Sequence, residues 1–165
     1  MHSDLTIRGT SGLDRDFLEQ MFFVAADWNP ANARGEQHWR ADPMLEKYVG
    51  AWRDGSDFGF VVEAGSEPLG AVWMRYFDAE DPGYGFVDEE TPELSIGVRD
   101  GFRGQGIGRA LLQAAQDAAP AALSLSVEDG NRASLLYTAV GFLPAGRVGN
   151  STTMRWVRAG NILEA

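Results

Sequence analysis

Six consecutive residues, Arg103-Gly104-Gln105-Gly106-Ile107-Gly108, carry the clearest chemical signal in this chain. Glycine tolerates positive φ and lets a ligand approach the backbone closely. From there on, Ile107, Ala110, Leu111, Ala114 and Ala118 recur at helical spacing, so the segment leads into a helix. The first amides of a helix lack intrahelical partners and sit at the positive end of its dipole. Glycines, an arginine and a helix start together suggest a cradle for an anion such as phosphate. Two nucleotide-binding patterns fail to describe it. A Walker A loop would need Lys and Ser or Thr where this chain has Arg109-Ala110. A dinucleotide fingerprint would need its third glycine elsewhere than Gly108, and earlier in the chain.

The whole chain limits what such a cradle could serve. Its 165 residues suffice for one domain with a real core, and 44% hydrophobic content suits a globular protein. Fourteen basic against 24 acidic residues give a net charge of −10. That balance argues against nucleic acid, which is bound through Lys and Arg, and suits a cationic small molecule or basic peptide tail. There is no cysteine, which excludes disulfides, Cys-ligated metals and Cys nucleophiles. The two histidines, His2 and His38, lie far apart, so neither a His metal site nor a Ser-His-Asp triad is expected. Met1-His2-Ser3-Asp4 does not open a signal peptide, and no run of about 18 apolar residues could span a bilayer. The expectation is a cytoplasmic protein with no metal and no membrane partner.

The elements that must position the cradle follow from periodicity. Residues 5–8 read as a strand, and Ser11 or Asp14 caps a helix to about Ala26 with Leu13, Phe17, Leu18, Met21, Phe22 and Ala25 along one stripe. Trp28, Asn29-Pro30 and Gly35 mark a loop before a helical stretch over residues 36–52. Residues 58–64 and 69–77 form a hairpin around Gly65-Ser66-Glu67-Pro68. An acidic connection over residues 78–92 leads to a strand at 93–99, with Leu94, Ile96 and Val98 on one face and Glu93, Ser95, Gly97 and Arg99 on the other. A helix from Ile107 ends at Pro120, and a strand follows at 122–127. Asn131 caps a short helix over 132–140 carrying Ala133, Leu136, Tyr137 and Val140, and Gly141 stops it. Strands at 142–149 and 152–157 close a single α/β domain.

Glu93-Leu-Ser-Ile-Gly-Val98, Arg103-x-x-Gly106-x-Gly108, Asn131 and Leu136-Tyr137-x-x-x-Gly141-Phe142 stand in fixed order. This constellation resembles the GNAT superfamily of acetyl-CoA-dependent N-acetyltransferases, whose hallmark is Q/R-x-x-G-x-G/A at a strand-to-helix junction. The resemblance is densest over residues 93–142. It implies a single domain over residues 1–165, built on a mixed, mostly antiparallel sheet with a splayed central parallel strand pair and flanking helices. It also implies acetyl-CoA as cosubstrate. Backbone around Arg103, Gly104, Gln105, Gly106, Ile107, Gly108 and Arg109 would hold the pyrophosphate, aided by the two guanidinium groups. Arg109 reads equally as a solvated helix residue. Pantetheine would lie between the parting strands and pair with backbone near Ile96, Gly97 and Val98, where an N–H could polarise the thioester carbonyl.

The same resemblance assigns chemistry to side chains. A lysine-like amine, with a pKa of about 10.4, must lose a proton before it can attack. Glu93, at the start of the central strand, is the best-placed acceptor, acting through a water, and also reads as a solvated strand-edge carboxylate; Asp88, Glu89 and Glu90 on the adjoining loop are the alternatives, and equally read as a solvated acidic run. Tyr137 matches the tyrosine that protonates or positions the coenzyme A sulfur, while periodicity alone makes it a core aromatic. Asn131 is a helix cap, a ligand to the pantetheine arm, or both. Trp28, Asn29, His38, Trp39, Tyr76, Tyr84 and Phe86 are candidates for the acceptor side, where aromatics and carboxylates suit an ammonium; each also reads as core. The activity implied is transfer of acetyl to a primary amine of a small molecule, peptide or protein by direct attack in a ternary complex. A non-catalytic acyl-CoA-binding module is the alternative, and a homodimer is possible by analogy with the family.

Overall fold

The computed structural model describes residues 4–160, so His2 and the chain start lie outside the described residues. Within these residues seven strands form one sheet: β1 (Leu5–Gly9), β2 (Phe58–Ala64), β3 (Glu67–Arg75), β4 (Glu93–Val98), β5 (Ala122–Glu128), β6 (Leu143–Val148) and β7 (Ser151–Val157). Their spatial order is β1-β2-β3-β4-β5-β7-β6. Every neighbouring pair is antiparallel except β4 and β5, which run parallel and register only at Glu93 and Ser124. Among the described residues, no helix is long and apolar enough to cross a membrane.

Alternation of side chains divides the core between the sheet's two faces. On one face, helices α1 (Arg15–Ala26) and α3 (Pro43–Val49) bring Leu18, Met21, Phe22, Leu45 and Tyr48 against Val61, Ala71 and Trp73. The short helix α2 (Glu36–Arg40) precedes α3. On the other face, α4 (Ile107–Ala118) and α5 (Ala133–Ala139) cover Val72, Met74, Leu94, Leu123, Leu125 and Val127 with Ile107, Leu111, Leu112 and Tyr137.

Local chemistry accounts for where the elements differ from their expected limits. The stretch over 36–52 is two helices, because Pro43 cannot continue α2 but suits the first turn of α3, where Asp42 accepts from the Met44 amide at 2.9 Å. Ser11 and Asp14 act together: they form a capping box around a 3₁₀ turn, Gly12–Asp14, and α1 starts only at Arg15. That turn throws Leu13 outward, where it is 97% exposed instead of joining the buried stripe. The hairpin turns on Gly65-Ser66 alone. Glu67 and Pro68 belong to β3, with Pro68 opposite Glu63 at a register shift where a missing N–H is tolerated.

Helix α4 is also rotated from the expected stripe. Leu112, Ala115 and the following Ala119 are buried, whereas Ala110 and Ala118 are exposed. Burying a leucine is worth about 1.5–3 kcal/mol, far more than an alanine methyl, so Leu111 and Leu112 set the rotation.

Helix α1 lies unusually close to β4. A Cβ built on Gly97 would stand 2.7 Å from the Met21 carbonyl oxygen and 3.1 Å from Met21 Cβ. Those atoms belong to a packed helix and cannot yield cheaply. Gly97→Ala is therefore expected to destabilise the fold by about 1–3 kcal/mol. Urea unfolding followed by tryptophan fluorescence measures this, and an unchanged midpoint would show that α1 is not packed in this way.

Candidate active site

The site begins where the parallel pair stops. The Ser124 amide donates to the Pro92 carbonyl at 3.0 Å, which joins the strands beside Glu93. Farther along β4 the Arg99 amide donates to Leu69 on β3 at 2.8 Å. Backbone groups alternate in direction along a strand, so residues 95, 97 and 99 face β3, while Ile96 and Val98 face β5. Beyond Glu93 and Ser124 the two strands have no further register. The amides and carbonyls of Ile96 and Val98 thus line an open edge inside the sheet. Gly97 contributes differently: it pairs with Ala71 on β3 and lets α1 approach.

At the closed end of this gap stands Glu93, only 4% exposed. It is an enclosed carboxylate, not a solvated one at a strand edge. The Tyr48 hydroxyl donates to Glu93 Oε2 at 2.7 Å and accepts from the Tyr84 amide at 2.8 Å. Glu93 Oε1 is buried and has no hydrogen-bond partner among the described residues. Gly83 lies directly against it, since a Cβ there would come within 2.1 Å of Oε1. Burial pushes the Glu93 pKa up to about 7, although the Tyr48 hydrogen bond, the nearby Gly85 amide and Lys47 pull it down. Burial and the adjacent carboxylate also hold the Tyr48 phenol protonated, well above its ordinary range.

The glycine segment meets the open end of the gap. Gly104 and Gly106 have φ of +76° and +83°, which side chains rarely adopt, so glycine is required at both. Gly106 is the N-cap residue just before α4, and no side chain caps the amides of the first turn. Those of Ile107, Gly108 and Arg109 therefore lack a side-chain partner from the protein, as an anion site demands. Gln105 is exposed beside them, and Gly108 packs near Leu136 of α5. Arg109 is exposed; the Arg103 guanidinium, also accessible, lies 3.3 Å from Asp100. The residues present thus suit a diphosphate bound at α4 and an extended chain along Ile96 and Val98.

Tyr137 lies on the opposite face of the sheet from Glu93, within the cluster beneath α4 and α5. Burial pushes its phenol up to about 12, so it is protonated at neutral pH. Asn131 Oδ1 accepts from the Ala133 amide at 2.9 Å and so caps α5.

On the Glu93 face, Trp28 extends from the end of α1 to β5, where its indole N–H donates to Glu128 at 3.3 Å. The segment with Tyr84 and Phe86 crosses β5 as well. A Cβ on Gly85 would be 2.6 Å from the Leu125 carbonyl carbon, and Tyr84 is 51% exposed. Trp28 and the backbone of the Tyr84–Phe86 segment therefore lie against β5, one wall of the gap. Asn29 instead caps a 3₁₀ turn, and Trp39 donates to Asp27 at 2.9 Å with His38 packed edge-on against it. Tyr76 follows β3, where burial raises its phenol pKa. The loop carboxylates hold the loop together: Asp88 accepts from Glu90 N–H and Glu89 from Ala79 N–H.

The model of the acetyltransferase (GNAT) family matches residues 18–142. This chain belongs to the GNAT acetyltransferase family. No curated protein matches it. Among solved structures it is similar to the PaiA N-acetyltransferase of Thermoplasma acidophilum in complex with coenzyme A, at 15% identity and a TM-score of 0.70, covering 94% of this chain and 99% of that one. YncA of Salmonella typhimurium with its cofactor acetyl-CoA is 22% identical, with a TM-score of 0.61 and 94% of each chain covered. The ribosomal-protein-alanine N-acetyltransferase of Brucella melitensis is 25% identical, with a TM-score of 0.60, covering 93% of this chain and 99% of that one.

For this GNAT acetyltransferase, sequence patterning misses Tyr48 and the close approaches of Gly83 to Glu93 and of Gly85 to β5. Leu45, Tyr48 and Val49 share a helical stripe, so Tyr48 reads as core, and only the tertiary fold sets its hydroxyl on Glu93. Gly83 and Gly85 bracket Tyr84 in the acidic connection, a signal of close approach without an identifiable partner.

The raised Glu93 pKa has a consequence for stability. Its protonated form is favoured in the folded state, so its contribution is fully present below the unfolded value near 4.5 and is lost as pH rises through about 7. Glu93→Gln should therefore gain stability relative to the wild type between pH 4.5 and 7 and hold that gain above it. Denaturant unfolding of both proteins across this range is the check; a difference independent of pH would exclude the raised pKa.

Proposed function

We propose that this GNAT acetyltransferase moves an acetyl group from acetyl-CoA to a primary amine of a small molecule, peptide or protein by direct attack in a ternary complex. The observation that carries this reading is the gap between β4 and β5, with unpaired backbone on β4, a buried carboxylate at its vertex and an uncapped helix at its mouth. The thioester supplies an activated acetyl group when bound. The first-turn amides of α4, with Arg103 and Arg109, hold the pyrophosphate, and Gly104 and Gly106 keep the backbone accessible. Ile96 and Val98 pair with the pantetheine arm, and a backbone N–H in the gap stabilises charge developing on the carbonyl oxygen. Asn131 orders the start of α5 and approaches the same arm.

Glu93 accepts the amine proton through a water, and its pKa of about 7 suits a base working near neutrality. Tyr137, protonated in its buried setting, gives a proton or hydrogen bond to the departing sulfur. No cysteine is present to carry the acyl group, which favours direct transfer. A net charge of −10 and the aromatics Trp28, Tyr84 and Phe86 suit a cationic acceptor.

The test is an amine panel, including polyamines and peptide N-termini, with release of the coenzyme A thiol followed continuously. Turnover with at least one primary amine is expected. Coenzyme A binding without thiol release across the panel would favour the binding module. With an active amine in hand, Tyr137→Phe and Glu93→Gln should each lower kcat by about 10²-fold or more. Their acetyl-CoA dissociation constants should stay within about threefold, a shift of less than 1 kcal/mol. Near-normal rates in both variants would remove these residues from the mechanism.

A further inference from the structure

We infer that Tyr48 is a positioning residue for Glu93: its hydroxyl, itself held by the Tyr84 amide, fixes one carboxylate oxygen and leaves the other to receive the proton. This rests on Glu93 being the base proposed above. Three observations carry it. First, the hydrogen bonds are directional and complete at Tyr48, which donates to Glu93 Oε2 at 2.7 Å and accepts from Tyr84 N–H at 2.8 Å. Second, Glu93 Oε1 is buried without a hydrogen-bond partner among the described residues. Leaving a buried carboxylate oxygen unused costs stability, and an apolar pair of similar volume would avoid that cost. Third, the carboxylate sits at the single point where β4 and β5 register, so its placement is tied to the vertex of the gap.

The Tyr48 ring is held independently of its hydroxyl. It packs at 5.2 Å from Phe77 and 6.3 Å from Phe22, and Trp73 donates to the Tyr48 carbonyl at 2.8 Å. A phenylalanine can keep those ring contacts, so removal of the oxygen isolates the hydrogen bond.

The other groups around Glu93 bound what Tyr48 must do. From α3, Lys47 acts on the carboxylate over a distance while its ammonium pairs with Asp81 at 2.6 Å. Arg75 stands directly opposite Glu93 on β3, but its guanidinium is turned to Asp57 at 3.3 Å and to the carbonyls of Lys47, Gly50 and Ala51. From the loop, Tyr84 and Gly85 present backbone amides. From β5, Ser124 lies beside the vertex with its hydroxyl unpartnered among the described residues. Among the described side chains, Tyr48 is thus the one that donates a hydrogen bond to this carboxylate.

A hydrogen bond to the ionised form lowers a carboxyl pKa, so its loss must raise that of Glu93. In Tyr48→Phe the acid limb of kcat/KM for the amine should move up by about one pH unit. Activity at pH 6 should fall about tenfold, with recovery toward the wild-type value by pH 9 and an unchanged acetyl-CoA KM. Carbon-13 NMR of labelled glutamate, assigned with Glu93→Gln, should show the same upward shift in the Glu93 titration without any turnover. Tyr48→3-fluorotyrosine, which keeps the ring and donates more strongly, should move both readouts down and serves if the phenylalanine variant does not fold.

The outcomes separate the two readings. Persistence of the acid limb in Glu93→Gln would show that Glu93 is not the base. Loss of that limb in Glu93→Gln, with Tyr48 variants that leave the limb and the Glu93 titration unmoved, would overturn the role of Tyr48 alone. A loss of rate in Tyr48→Phe that is uniform with pH would assign Tyr48 to packing and also overturn it.

Discussion

Much of this molecule depends on how little β4 and β5 are joined. In a continuous sheet the next residues of the two strands would satisfy each other, and the backbone between them would be closed to any ligand. Here the Ser124 amide reaches the Pro92 carbonyl, Glu93 registers with Ser124, and the strands then part. The separation leaves Ile96 and Val98 with backbone groups directed into the gap. Unpaired backbone inside a domain is costly unless something else binds it. A cosubstrate carrying amide groups along an extended arm is a natural partner for that edge.

The parting can persist because each strand is secured on its other side. β4 is bonded along its length to β3, and β5 along its length to β7. The two faces add separate clamps. Helix α1 presses on β4 through Gly97, while α4 and α5 cover the opposite face with Leu111, Leu112 and Tyr137. The proposed proton acceptor and proton donor consequently belong to different halves of the core: Glu93 meets Tyr48 of α3, and Tyr137 of α5 lies in the cluster on the other face.

The parts of the site legible in the sequence are those defined by local rules. Arg103-x-x-Gly106-x-Gly108 encodes a turn that needs positive φ, so the glycines announce themselves, and Pro120 and Gly141 mark helix ends by the same logic. Strand alternation correctly separated Leu94, Ile96 and Val98 from Glu93. Patterning failed where two local signals competed or where a small residue carried little energy. Pro43 overrode a helical stretch, Leu13 was thrown outward by a capping turn, and Ala110 lost its place to Leu112.

The sequence by itself determined the acetyltransferase family, the order of the elements and the glycine-led anion cradle, because helix starts, turns and strand faces depend on neighbours within a few residues. Only the tertiary structure decided that Glu93 is enclosed, that Tyr48 is its partner and that Gly83 covers its free oxygen. Tyr48 is 45 residues from Glu93 in sequence, and Tyr48, Gly83 and Glu93 come from a helix, a loop and a strand. Burial and hydrogen-bond geometry between such groups arise from packing, and packing is not written in the spacing of any one segment.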